Sequence, residues 1–139
     1  MFRISLVILA LVCIVPSARV DAADSATPWV QPTVELTIHY PGGNADLYTG
    51  IPWRLGLTVL DAMKLADMPG FSASWSRNLA GWMVSAIRDV ANQGPTGPNW
   101  LLCVNGYVAG VGAGAYVLGP GAKADWYYSS VWPPAGCQR

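Results

Sequence analysis

The chain predicts an α+β fold, a mixed sheet of four to six strands with one helix packed across one face, and three stretches carry that prediction. Asn105-Gly106 lies between the apolar runs Trp100–Val104 and Tyr107–Ala109. Asn-Gly accepts the two positive-φ positions of a tight hairpin turn, so the runs read as paired strands. In Thr33–Tyr40 the residues Val34, Leu36, Ile38 and Tyr40 alternate with polar partners, the period of a half-buried strand. Between these stretches, Val59, Ala62, Met63 and Ala66 recur at helical spacing behind Thr58, which predicts one amphipathic helix.

Taken in order, the strand at Thr33–Tyr40 turns at Pro41-Gly-Gly-Asn44 into a weaker strand from Ala45 to Ile51, ended by Pro52. Thr58 offers a side-chain oxygen to the free N–H groups of a helix start, and Asp61 completes an approximate capping box. The helix is expected to run to about Met68 and to stop at Pro69-Gly70. From Phe71 to Arg77 the chain alternates again, with Phe71, Ala73 and Trp75 on one face and three serines on the other. Trp82–Ile87 is a further strand, and Arg88–Asn92 either extends it or forms a helical turn. A loop by composition, Gln93–Asn99, leads to the Asn-Gly hairpin, and the last strand spans Lys123–Ser130. Gly110–Gly121 is read as a bent or bulged strand, or as a place where backbone passes close to a ligand.

At the N-terminus, Arg3 precedes a hydrophobic stretch from Ile4 to Val15 and small residues at Ala18 and Ala22. Twelve helical residues cover only ~18 Å of a ~30 Å hydrocarbon core, so residues 1–22 read as a cleaved export signal and not as a membrane span. Residues 23–32 form a short leader, residues 33–131 the single domain and residues 132–139 a tail. Arg3, Arg19 and Asp21 leave with the signal, so six basic and seven acidic residues remain. That balance offers no electrostatic footprint for nucleic acid. Export to the periplasm, cell surface or medium would place Cys103 and Cys137 in an oxidising compartment and predicts a disulfide between them. The alternative is a buried strand thiol and a free thiol in the tail.

Little in the chain reads as catalysis. His39 is the single histidine, with no nucleophile elbow or metal-ligand spacing around it, so neither an enzyme nor a metal site is expected. Gly110-Val-Gly-Ala-Gly-Ala115 matches the letters of a dinucleotide fingerprint, but Gly119-Pro-Gly121 arrives too soon for the helix that motif must open, and no cofactor is expected. Seven tryptophans remain, at 29, 53, 75, 82, 100, 126 and 132. Each could stack on a flat, largely apolar ligand or simply fill the core.

Four patches, Gly56–Ala62, Ala80–Ile87, Trp100–Gly106, and Gly112–Tyr116 with Trp126–Tyr128, together resemble secreted bacterial domains related to the C-terminal β-domain of transcobalamin and intrinsic factor. The resemblance implies a ubiquitin-like β-grasp sheet and a small-molecule ligand, a corrinoid such as cobalamin in the vitamin carriers. It further implies that Trp82, Val84, Ser85, Trp100, Leu102 and the return from Val108 to Tyr116 face the ligand. In the carriers a helical domain supplies the opposite wall, so this chain is expected to need a helical partner or a second copy. The other reading is an extracellular protein-interaction module with no small-molecule ligand. An open apolar cleft near Trp82 and Trp100 would favour the first, and a flat exposed sheet edge the second.

Overall fold

The computed structural model describes residues 28–68 and 70–139. The expected export signal at 1–22, the first half of the leader and Pro69 lie outside them. Five strands form one mixed sheet in the order β2-β1-β8-β6-β7. Here β1 is Thr33–His39, β2 Ala45–Pro52, β6 Asn99–Val104, β7 Tyr107–Val108 and β8 Lys123–Ser129. Two antiparallel hairpins flank the centre, where β1 runs parallel to β8 and places Ile38 beside Trp126. The alternation seen in the sequence sets the buried face: Val34, Leu36 and Ile38 are fully buried from β1, with Ala124 and Trp126 from β8. At the β6–β7 turn, Asn105 and Gly106 adopt φ of 52° and 82°, the left-handed pair that Asn-Gly favours.

Helix α1, Val59–Leu65, buries Val59, Leu60, Ala62 and Met63. Thr58 caps it by accepting from the Asp61 N–H at 3.1 Å, while its hydroxyl donates to the Asp61 carboxylate at 2.8 Å. The helix ends earlier than the expected Met68. Asp67 turns into the left-handed region at φ 51°, and its N–H donates to the Lys64 carbonyl while that of Met68 donates to the Met63 carbonyl. Those two bonds form the Schellman arrangement, which closes a helix without needing the proline that follows.

The strands after the helix depart from the single sheet expected. β3, Phe71–Ser76, β4, Gly81–Ile87, and β5, Val90–Ala91, form a separate three-stranded sheet, with Arg88 at φ 51° in the turn between β4 and β5. Alternation identifies a strand and its faces but not its neighbours. Phe71 and Ala73 are half-buried, whereas Trp75, expected to share their inward face, is 63% exposed and meets Trp82 across the hairpin edge to face at 6.1 Å. Asn92 ties the two sheets together, donating to the Val84 carbonyl at 3.0 Å and accepting from the Trp100 N–H at 2.8 Å. Tyr128 adds a bond from its hydroxyl to the Ala91 carbonyl.

The segment from Gly110 to Gly121 is no strand. It folds as an irregular return whose carbonyls at Ala113 and Tyr116 accept the first free helix N–H groups, those of Leu60 and Val59, each at 3.0 Å. Cys103 and Cys137 are joined, with their Cα atoms 6.2 Å apart. This bond brings Gln138 alongside β7, where it donates to the Gly106 carbonyl at 2.7 Å and accepts from the Val108 N–H at 2.9 Å. No helix among the described residues is long and apolar enough to cross a membrane.

Candidate functional site

The glycine return is a wall set against the start of β4. A Cβ at Gly112 would lie 2.6 Å from the Trp82 carbonyl oxygen, one at Gly114 2.8 Å from the Trp82 Cβ, and one at Gly81 2.9 Å from the Ala115 Cβ. The glycines form no bent strand, and the close approach they permit is to the start of β4 in the same chain. Hydrogen bonds hold the approach: the Gly112 N–H donates to Leu79 and the Gly114 N–H to Trp82, each at 2.9 Å.

A concavity opens on each side of this wall. On one side lies an apolar cavity of about 80 Å³, lined by Trp100, Leu102 and Trp126, by Met83 and Val84, and by Ala109 and Val111–Ala113, with the half-exposed Trp132 among its lining residues. No ionisable side chain lines it. On the other side a wider groove of about 490 Å³ runs between α1 and β3, lined by Leu60, Asp61 and Lys64 from the helix, Phe71 and Ala73 from β3, and Trp82 with Gly114 at the wall. Asp61 and Lys64 stand 3.9 Å apart and offset one another, so the groove carries little net charge.

Of the residues the resemblance singles out, Val84, Trp100 and Leu102 meet in the cavity, while Trp82 faces the groove and is 47% exposed. Ser85 is half-buried at the point where the β3–β4 register shifts and lines neither concavity. Val108, half-buried in β7, and Tyr116, whose carbonyl caps α1, also lie outside both linings. Sequence reasoning missed Trp126 as a lining residue, although Leu102 and Trp126 are cross-strand partners and the pairing of the last strand would have placed them together. Trp132, in the short tail, gave no periodic signal. Trp100 and Trp126 belong to the core at 4% and 3% exposure, so in the cavity they show a ring surface rather than a free ring.

His39 is accounted for by structure. Its Nε2 lies 3.1 Å from the Asp125 carboxylate, and its ring stacks on Tyr127 at 4.2 Å. Among the described residues no three His, Cys, Asp or Glu side chains gather closely enough to hold a metal ion. A second polar cluster joins the sheets: Tyr40 donates to Asp46 at 3.0 Å, and Arg88 pairs with the same carboxylate at 2.6 Å while lying over the Tyr40 ring. Burial, with the Asp46 hydrogen bond, pushes the Tyr40 hydroxyl up to about 12.

Comparison with known proteins adds the following. No curated protein sequence matches the chain. Among solved structures, a protein of Ruminococcus gnavus ATCC 29149 with a proposed metal-binding role superposes at a TM-score of 0.54 and 6% identity, over 71% of this chain and 99% of that one. Haptocorrin in complex with Cbi superposes at 0.53 and 20% identity, again over 71% of this chain, which spans only 25% of haptocorrin. At these identities the likeness is one of fold. In sequence, a domain of unknown function, DUF4430, matches residues 56–130, more than half of the chain and the part that holds α1, the glycine return, the wider groove and all of the apolar cavity's lining but Trp132. The chain belongs to the DUF4430 family.

Proposed function

We propose that this chain is a secreted, non-enzymatic binding module for a small, largely apolar or planar molecule, a corrinoid foremost, and that it needs no cofactor. The observation that supports this best is the pair of concavities divided by the glycine return, with Trp82 open on one side and an indole-lined, uncharged cavity on the other. Ligand sites are typically concave, mostly apolar and lined by aromatic groups, and the flat uninterrupted edge expected of a pure interaction module is not what surrounds Trp82. Likeness in fold to haptocorrin, whose structure holds Cbi, supports the corrinoid as the first ligand to try. The strand order, with a central parallel pair between two hairpins and one helix, supports the β-grasp reading. The disulfide is consistent with an oxidising compartment outside the cytosol.

In this reading the chain covers one side of its ligand. Haptocorrin is about four times longer than the matched part, and the wider groove here is open, so a partner, a helical one in the carrier arrangement, or a second copy completes the enclosure. Titration of the purified protein with cobalamin and cobinamide, followed by calorimetry and tryptophan fluorescence, tests the proposal. Saturable quenching that Trp82→Ala weakens without unfolding the protein is the expected result. If the folded protein binds neither corrinoid, the corrinoid reading fails and the protein-interaction reading takes its place.

A further inference from the structure

A sheet edge presents a row of unpaired backbone groups, and folded proteins blunt such edges with bulges, charges, proline or a covering segment. Of the edge strands here, three are blunted. β2 carries a bulge, with Thr49 and Gly50 standing against Glu35 alone and Gly50 at φ 70°. β5 and β7 are two residues long, and the tail covers β7 through Gln138. β3, Phe-Ser-Ala-Ser-Trp-Ser, is the exception, since it holds no charge and no proline. The irregularity in its pairing falls on β4, at Ser85, so β3 itself is regular. One bond fixes where its free groups point. The Arg88 N–H donates to the Gly70 carbonyl at 2.6 Å, just outside the facing pair of Phe71 and Ile87. In an antiparallel ladder this makes Phe71 part of a non-hydrogen-bonded pair, so the N–H and C=O of Phe71, Ala73 and Trp75 point away from β4. Among the described residues no other backbone group bonds to them. The same three side chains share a face: Phe71 and Ala73 line the wider groove, and Trp75, 63% exposed, meets the Trp82 ring that also lines it.

We infer that β3 pairs antiparallel with β3 of a second copy of this chain, about a two-fold axis at Ala73. For its purpose, though not for its geometry, this rests on the binding role proposed above, and it names the second copy as the partner that completes the groove. The register is self-complementary. Centred on Ala73, it exchanges hydrogen bonds at every outward N–H and C=O of the three residues and sets Phe71 of each copy opposite Trp75 of the other. Aromatic cross-strand pairs stabilise sheets, and the exposed indole of the strand gains a neighbour. Charge points to the same occupant. Asp67 precedes the strand and Arg77 follows it, both exposed and neither in an ion pair among the described residues. The axis brings the Arg77 end of each strand to the Asp67 end of the other, so opposite charges meet twice. Trp75 of the second copy then stands beside Phe71 and Ala73 as a further wall of the groove.

The test is sedimentation velocity of the purified, disulfide-bonded protein from micromolar to millimolar concentration, with no ligand present. A monomer–dimer equilibrium is expected. Ala73→Pro removes an outward N–H that β4 does not use, a place where edge strands tolerate proline, so it is expected to keep the parent circular dichroism spectrum and to remain monomeric throughout. Arg77→Glu is expected to weaken the dimer about tenfold at low salt, and Asp67→Lys in the same chain to restore it. The charge exchange leaves β3 untouched, so it decides the matter even if Ala73→Pro does not fold. A parent protein that stays monomeric, whether its edge is left bare or is taken by an extended segment of another protein, would overturn the inference. So would a dimer that both Ala73→Pro and Arg77→Glu leave intact, since another surface would then hold it. A dimer of the expected kind that binds neither corrinoid would keep the pairing and discard the ligand, while a monomer that binds one would discard the pairing and spare the binding role.

Discussion

Gly112→Ala is the sharpest test of the glycine wall. The added Cβ would meet the Trp82 carbonyl oxygen at 2.6 Å, the Trp82 carbonyl carbon at 3.0 Å and the Gly81 carbonyl carbon at 3.2 Å. All three are backbone atoms, so no flexible side chain can yield. The Trp82 carbonyl also accepts the Gly114 N–H at 2.9 Å, and moving it to ordinary contact distance would stretch that bond. Overpacking of this kind costs about 1–3 kcal/mol and a lost hydrogen bond about 1 kcal/mol more, which gives an expected loss of about 2–4 kcal/mol. For a domain of this size the melting temperature should fall by on the order of 10 °C. Gly119→Ala is the control, since a Cβ there meets nothing within 4 Å and the residue has no positive φ. It should melt within about 0.5 kcal/mol of the parent or slightly above it, through the stiffer unfolded chain. Thermal and urea unfolding followed by circular dichroism measure both. If the two variants melt alike, close packing of the return against β4 is wrong.

Gly106→Val forces a β-branched residue to φ 82° at the β6–β7 turn and should cost about 1–2 kcal/mol or more; an unchanged urea midpoint would contradict the turn. Thiol labelling under denaturing, non-reducing conditions should find neither Cys103 nor Cys137 free, and Cys137→Ser, which opens a loop of 34 residues, should cost about 3–4 kcal/mol in the chain-entropy model. Because the Tyr40 hydroxyl is raised from 10.0 to about 12 in the folded protein, the unfolded chain loses that proton first as the solution turns alkaline. The contribution of Tyr40 to stability is therefore complete below pH 10 and declines up to about pH 12, and Tyr40→Phe should flatten that part of the denaturation profile.

The strands and the helix cap were legible because each has a local cause. The alternation at Thr33–His39, the oxygen of Thr58 and the left-handed tolerance of Asn105-Gly106 act within a few residues. The partition into two sheets was not legible, since the Phe71–Ser76 pattern is the same whether β3 joins the main sheet or stands apart. Trp75 shows the cost of that ambiguity: its place in the pattern called it inward, yet β3 carries it beyond the core. The early helix end at Asp67 depends on a left-handed residue that is not glycine, which sequence gives little reason to expect. At the site, Trp82 and Trp100 were named together but face opposite sides of the glycine wall, a separation set by contacts of Gly112 and Gly114 that no local rule contains.

The central parallel pairing of β1 with β8 has a kinetic consequence. These strands lie some ninety positions apart in the sequence, and the registers Leu36 to Ala124 and Ile38 to Trp126 form the middle of the sheet rather than its margin. Each hairpin can form early from neighbouring residues, and α1 lies against the first of them, β1 and β2, but the five-stranded sheet is not complete until both hairpins are joined through β8. Closing so long a loop before any contact rewards it slows folding. During synthesis, the chain should therefore lack its central pairing until residue 129 has emerged, with the edge of β1 that β8 will take open to chaperones and to neighbouring chains, and stable folding should arrive as a single late event.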